Sequence, residues 1–378
     1  MARLRESVEA ATIRRRMVEQ REVGSWSGVR KFRINSKRLE ADDICSFYLI
    51  PHDGKPLPSF QPGQYLTFHL KPVDRDKPLV RCYSLSDGPL QRAHYRVTVK
   101  RLGAPPGKPD LPPGVSSNFF HLGLNVGDIV DVKAPAGAFW LDLAGHRPVV
   151  LIAGGIGVTP VFSMLKAIIE SGSKREVWFF YGVRHSGEHA FRAALDDFDV
   201  KHENVNVRVC YDSPRDDDCL GLTHQIQERV SVDLLKRTLP SNNFEFYVCG
   251  PPPMMSAITT DLIAWGVPEG DVHTEAFGPA SVKKVEKPVS AVSPQPQVTF
   301  ARSGKTVDWD GGADNLLEFA EAQGLRLDSG CRAGSCGTCV TAVKSGAVAY
   351  IRDPDSKTEA GSCLICIARP KSNLVLDA

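Results

Sequence analysis

"RPVVLIAGGIGVTP", residues 147–160, decides how the middle of this chain folds. Val149 to Ile152 form an apolar run without a polar break, the mark of a strand covered on both faces. The run ends in glycines, and Thr159-Pro160 opens "VFSMLKAIIESG", a helical pattern stopped by Gly172. Further along, "REVWFFYGVR" (175–184), "VNVRVCYD" (205–212) and "FEFYVCGP" (244–251) are buried-strand candidates separated by helical stretches. Continuous apolar strands alternating with helices predict an α/β domain with a parallel sheet over 144–278.

The texture differs on either side. Over 29–143, short β-rich runs such as "FRINSKRL", "ICSFYLIP", "QYLTFHL", "HYRVTVKRL" and "DIVDVKAP" are separated by Gly, Pro and Asp, which predicts an antiparallel β-barrel or sandwich. The Pro-rich "GAPPGKPDLPPG" (103–114) can be neither strand nor helix interior and is expected as a surface loop. Residues 279–295 are rich in Pro, Ser, Lys and Val without a period and read as a linker. A third unit, 296–378, begins with a hairpin candidate, "VTFARSGKTVDWDGG", and an amphipathic helix, "ADNLLEFAEAQG". Residues 1–28, rich in Arg and Glu, read as a solvated helical arm; the glutamates argue against a transit peptide.

The chain has 378 residues, with 46 Lys+Arg against 44 Asp+Glu and a formal net charge of +2. No global field draws it to nucleic acid or to an anionic membrane. It contains no apolar run long enough to span a bilayer, and its N-terminus lacks the apolar stretch of a secretory signal, so a cytoplasmic protein is expected. Of ten cysteines, Cys45, Cys82, Cys210, Cys219 and Cys249 are scattered, whereas Cys331, Cys336, Cys339, Cys363 and Cys366 crowd the C-terminus. This asymmetry points to a local site rather than a disulfide framework.

"CRAGSCGTC" (331–339) has the spacing Cys-x4-Cys-x2-Cys of a plant-type [2Fe–2S] site. Thiolates must converge on two irons from a loop whose amides point inward, and Ala333, Gly334, Ser335 and Gly337 let the backbone wrap closely. Zinc is the alternative, because Cys336-x2-Cys339 has a mate in Cys363-x2-Cys366. "LICIARP" (364–370) resembles the end of a plant-type ferredoxin, and that resemblance assigns the fourth ligand to Cys366 and leaves Cys363 as a buried thiol. Residues 296–378 thus resemble a plant-type ferredoxin domain, which implies an α+β, β-grasp fold.

"RCYSLS" (81–86) is similar to the flavin motif of the ferredoxin–NADP reductase superfamily. The resemblance implies that Arg81 binds the flavin phosphate, that Tyr83 lies against the isoalloxazine and that Ser84 approaches its N5. "GVSSNFFH" (114–121) is similar to the superfamily's second phosphate element, with Gly114 and Ser117 in the matching places. "AGGIGVTP" (153–160) lies between a strand and a helix, as a dinucleotide-phosphate loop must. It departs from G-x-G-x-x-G, and its Gly155, Gly157, Thr159 and Pro160 match the superfamily's variant instead. "YVCGPPPMM" (247–255) resembles the superfamily's C-G-P element, which puts Cys249 near the nicotinamide C4, with Gly250 and Pro251 beside it. "EAFGPAS" (275–281) resembles the end of flavohaemoglobin reductase modules, where Glu275 and Phe277 border the flavin or nicotinamide site.

These resemblances imply a reductase that takes hydride from NADH or NADPH, passes it to a flavin, and releases single electrons through the cluster. Flavohaemoglobin-like texture favours FAD; the order flavin, nicotinamide, ferredoxin is that of the phthalate dioxygenase reductase type, which leaves FMN as the alternative. Arg184 is the one candidate for a 2′-phosphate, and without a second basic residue beside it NADH is expected. The implied partner is an external electron acceptor, commonly a Rieske oxygenase. The rivals are a self-contained flavin reductase acting on a small molecule or O2, and a redox-sensing module. His121 and His189 are expected to be structural. Nine basic and ten acidic residues from 296 onward predict no strong charge steering at the C-terminal unit.

Overall fold

A computed structural model describes residues 26–277 and 296–378, apart from 73–77, 91–92, 105–106, 108–109, 111, 224, 333, 335, 352–353 and 355–357. The helical arm, up to residue 25, and the whole linker expected over 279–295 lie outside the described residues, as do parts of the Pro-rich loop and Ala333 and Ser335 of the cysteine loop. Among the described residues no helix is long and apolar enough to cross a membrane.

The first sheet contains β1 (Arg30–Ala41), β2 (Ile44–Pro51), β3 (Tyr65–Leu70), β4 (Leu79–Ser84), β5 (Tyr95–Lys100) and β6 (Ile129–Ala136), in the order β4-β3-β6-β1-β2-β5. Every pairing is antiparallel. A bridge between Leu85, just beyond β4, and Val97 of β5 joins the two edges, so the sheet curls into a barrel. The period of two is plain in β1, where Phe32 and Ile34 are buried while Lys31 and Arg33 face solvent. Between β5 and β6 the chain makes a short helix, α1 (Val115–Asn118), that widens into a π turn and drops Phe120 into the barrel core.

The second sheet is β7 (Val149–Gly154), β8 (Val177–Val183), β9 (Val205–Tyr211), β10 (Glu245–Cys249) and β11 (Val272–Glu275), in the order β11-β10-β7-β8-β9. All its pairings are parallel. Every residue of β7 is buried, as its apolar run requires. Helices α2 (Val158–Glu170), α3 (Arg192–Lys201), α4 (Val232–Thr238) and α5 (Pro252–Ala264) complete the domain. One face of β7 packs Val149 and Leu151 on Phe162 and Leu165 of α2; the other packs Val150 and Ile152 with Leu235 of α4 and Met255 of α5.

Barrel and α/β domain are joined by polar contacts. Lys100 meets Glu188 at 2.7 Å, Asp42 meets Arg215 at 2.5 Å, and Ser163 of α2 donates to the Asp87 carbonyl at 2.7 Å. Lys166 also pairs with Asp87.

The C-terminal unit holds β12 (Gln297–Phe300), β13 (Lys305–Asp308), α6 (Leu316–Ala322), β14 (Val340–Ser345), β15 (Val348–Tyr350), β16 (Ser362–Leu364), β17 (Ala368–Pro370) and β18 (Leu374–Leu376). Its main sheet runs β13-β12-β18-β14-β16, and β15 and β17 pair separately. The first and last strands, β12 and β18, are parallel neighbours. Asn315 caps α6 by accepting from the Glu318 amide at 3.0 Å, and Leu316, Leu317 and Phe319 fill the core beneath the sheet. The three-unit architecture expected from the sequence, barrel, parallel α/β and mixed α+β, is the one observed.

Candidate functional site

The carboxyl ends of β7 and β10 are neighbours in the sheet, and two of the expected elements meet there. Gly155 leaves β7 with φ +51, and a Cβ built on it would meet nothing within 4 Å. Its backbone is therefore open to a ligand. Gly157 is the opposite case, since a Cβ there would lie 2.2 Å from the Cys249 carbonyl oxygen and 2.7 Å from the Gly250 nitrogen. The glycine loop and the Cys249-Gly250-Pro251 element thus pack backbone against backbone. Thr159 donates its hydroxyl to the Ile156 carbonyl at 3.0 Å, which ties the loop to the first turn of α2, where Pro160 also sits.

Cys249 is fully buried. Burial, and then the nearby Glu275 charge, push its thiol well above the ordinary range, so it remains protonated. Glu275 stands opposite Cys249 in the β10–β11 pairing, and Phe277 follows two residues on, 38% exposed. Arg184, at the end of β8, is held by Glu188. A carboxylate bound to that guanidinium disfavours a second anion there, in line with the expectation of NADH.

On β4 the side chains alternate. Arg81 is exposed and donates to the Val80 carbonyl at 2.7 Å. Tyr83 packs its ring on Phe120, centroid to centroid 4.8 Å, and shares a 2.7 Å hydrogen bond with Ser116. Burial outweighs that hydrogen bond and pushes the phenol up to about 12, so it stays neutral. Ser84 is buried. Ser117 spends its hydroxyl on the turn itself, donating to the Gly114 carbonyl and accepting from the Leu102 amide, each at 3.1 Å. An anion at this turn would meet the amides that begin α1, which a helix leaves without internal partners. Ser116 is the residue that sequence reading missed: it adjoins the expected Ser117, and only the fold brings it to Tyr83.

The cysteine loop gathers four of the five C-terminal thiols. The Cys331 amide donates to Cys336 Sγ at 3.2 Å, and the Cys336 amide returns to Cys331 Sγ at 3.3 Å. Cys339 and Cys366 bring their sulfurs to 3.0 Å, and Cys366 also meets the Cys331 side chain. Left-handed backbone at Arg332, Gly334 and Gly337 produces the wrap. Cys363 is placed differently: it lies in β16 opposite Thr341, fully buried, where burial pushes its thiol up to about 11. Among the described residues no three Cys, His, Asp or Glu converge as a single-ion site. Two adjacent pairs, Cys331 with Cys336 and Cys339 with Cys366, instead suit a two-iron cluster that takes two thiolates per iron. The donor set, all sulfur with inward amides, fits that group.

His121 Nε2 lies 2.8 Å from the Val99 carbonyl and His189 Nδ1 lies 2.9 Å from the Tyr211 hydroxyl. Both are engaged within the protein.

Three family models match the chain in succession: an oxidoreductase FAD-binding domain over 31–140, an oxidoreductase NAD-binding domain over 151–260, and a 2Fe-2S iron-sulfur cluster binding domain over 298–371. A flavohemoprotein of Halalkalibacterium halodurans is 40% identical over 257 residues, 68% of this chain and 62% of the relative. The chain therefore spans less than two thirds of the length of that relative. The solved FAD/NAD-binding domain of a nitric oxide dioxygenase from Vibrio cholerae is 32% identical with a TM-score of 0.58, covering 66% of this chain and 98% of that one. Phthalate dioxygenase reductase, whose structure is described as a modular one for electron transfer from pyridine nucleotides to [2Fe-2S], is 27% identical with a TM-score of 0.55, covering 93% of this chain and 98% of that one. This chain accordingly belongs to the ferredoxin–NADP reductase superfamily of oxidoreductases, as a flavin- and nicotinamide-binding reductase joined to a C-terminal plant-type [2Fe–2S] domain.

Proposed function

We propose that the protein carries electrons from NADH, through FAD, to its [2Fe–2S] cluster and on to an external acceptor protein, an oxygenase component. We take 29–143, 144–278 and 296–378 as its three working units. Bound FAD supplies the conversion of a two-electron hydride into single electrons that the cluster can accept.

The chain's own residues bind and orient. Arg81 offers its fork to the flavin phosphate beside the turn of Gly114 and Ser117. Tyr83, a neutral phenol, lies against the flavin ring, and the Ser84 hydroxyl addresses the edge that receives hydride. Gly155, Gly157, Thr159 and Pro160 form the loop for the dinucleotide phosphates, with an open backbone at Gly155. Cys249, Gly250 and Pro251 orient the nicotinamide with an uncharged thiol, and Glu275 and Phe277 border the same pocket. Cys331, Cys336, Cys339 and Cys366 hold the cluster.

The observation that carries this reading is contact between inlet and outlet: Lys133 of the barrel donates to the Cys336 carbonyl at 2.7 Å, so the cysteine loop sits on the flavin-binding barrel. The test is Cys336→Ser. Cytochrome c reduction by NADH should be lost while ferricyanide reduction survives. Undiminished cytochrome c reduction would instead support a self-contained flavin reductase.

A further inference from the structure

Thr67 in β3 stands directly opposite Cys82 of β4 on one side and Lys133 of β6 on the other. Residues directly opposite in an antiparallel sheet share a face, so thiol, hydroxyl and ammonium form one row across three strands, about 10 Å long. The row is continuous, since Thr67 Oγ1 lies 3.3 Å from Cys82 Sγ. Its two ends both reach the cysteine loop. The Cys82 thiol hydrogen-bonds the side chain of Cys331, and Lys133 Nζ donates to the Cys336 carbonyl at 2.7 Å.

The loop is built for this approach. At Gly330 a Cβ would lie 2.9 Å from Val80 Cγ1 and 2.8 Å from Cys336 Sγ. Val80 is two residues from Cys82 on the same face of β4, and Ser84 is two residues further, about 7 Å along the strand from Cys82. The charge of Lys133 has no other claimant on this face: Asp131 is already held by Lys31 at 2.9 Å and Lys71 at 3.1 Å, and no carboxylate pairs with Lys133 among the described residues.

We propose that Cys82 and Lys133, supplied by the flavin barrel, are positioning residues for the cluster: they seat the cysteine loop and raise the cluster's reduction potential. A hydrogen bond to a ligand sulfur and a cation beside the cage both favour the more negative, reduced cluster. The inference rests on the cluster assignment of the proposed function. It differs from that reading in placing part of the cluster's environment outside the ferredoxin domain.

The experiment is an EPR-monitored redox titration of the full-length holoprotein and of Cys82→Ala and Lys133→Met. Both variants should keep the visible bands of the cluster. At the wild-type midpoint potential, the oxidised-to-reduced ratio should rise from one to about three or more in each; threefold corresponds to about 28 mV at 59 mV per tenfold for one electron. Lys133→Arg should restore the wild-type ratio. Intact bands with an unmoved midpoint in both variants overturn the proposal, because a packing role alone would leave the potential where it was. Should Cys82→Ala fail to load the cluster, the Lys133→Met and Lys133→Arg pair decides in the same way. A wild-type chain with no cluster bands would overturn the proposed function itself, and this inference with it.

Discussion

Replacing Gly157 by alanine tests the nucleotide loop most directly. The new Cβ would lie 2.2 Å from the Cys249 carbonyl oxygen, 2.5 Å from its carbon and 2.7 Å from the Gly250 nitrogen, all backbone atoms. None can swing aside, because Cys249 is pinned on one side to Ala153 of β7 and on the other to Glu275 of β11. Overpacking of this kind costs about 1–3 kcal/mol. If the loop relieves it by lifting off the Cys249-Gly250 element, about 2 kcal/mol reappears as weaker nucleotide binding, roughly thirtyfold at 1.4 kcal/mol per tenfold. Gly155→Ala is the control. That position is open but left-handed, with φ +51, so the change costs only about 1 kcal/mol of backbone strain, or roughly fivefold. The assay is the KM for NADH with ferricyanide as acceptor, alongside Tm. Wild-type KM and Tm in Gly157→Ala, or a larger defect in Gly155→Ala, would refute the reasoning.

Two further outcomes follow from the geometry. Cys366→Ser should lose the cluster's visible bands while Cys363→Ser keeps them, since Cys366 touches the Cys339 and Cys331 thiols of the loop whereas Cys363 lies in β16 opposite Thr341; the opposite pattern would reassign the fourth ligand. Burial opposes ionisation of Glu188, yet Arg184 and Lys100 outweigh it and hold the carboxyl down at about 2. A depressed carboxyl stabilises the fold fully above its unfolded value, about 4.3, and loses that contribution as pH falls toward 2. Glu188→Gln should therefore lower Tm at pH 6, and the gap from wild type should close between about pH 4.5 and pH 2. A gap that stays constant over that window would show that the Lys100–Glu188 contact between barrel and α/β domain carries no such charge effect.

The parts of the fold that could be read in advance are those written in local periodicity. The uninterrupted apolar β7 and the β-rich run of β1 each report a single element and its surroundings, and each was found where expected. What escaped was set by register between distant strands. Nothing near Leu85 announces Val97 as its partner, yet that bridge joins the two edges of the sheet. Ser116 and Ser117 are indistinguishable as a pair of serines, but one step along α1 turns the side chain by about 100°, so one hydroxyl meets Tyr83 and the other closes the turn. Cys82 belonged to the scattered cysteines, because its neighbours Thr67, Lys133 and Cys331 are remote in sequence and come together only through the pairing of β3 with β4 and β6 and the seating of the cysteine loop on that sheet.

Gly330 has a consequence of its own. With no carbon beyond its backbone, it lets the loop that bears the outlet rest directly on Val80. On the proposed electron path, the spacing between barrel and cysteine loop is then set by what this residue lacks. A methyl group placed there would act as a shim, meeting Val80 Cγ1 at 2.9 Å on the barrel side and Cys336 Sγ at 2.8 Å on the loop side. The fit of the two units thus depends on a residue that is itself no proposed cofactor ligand.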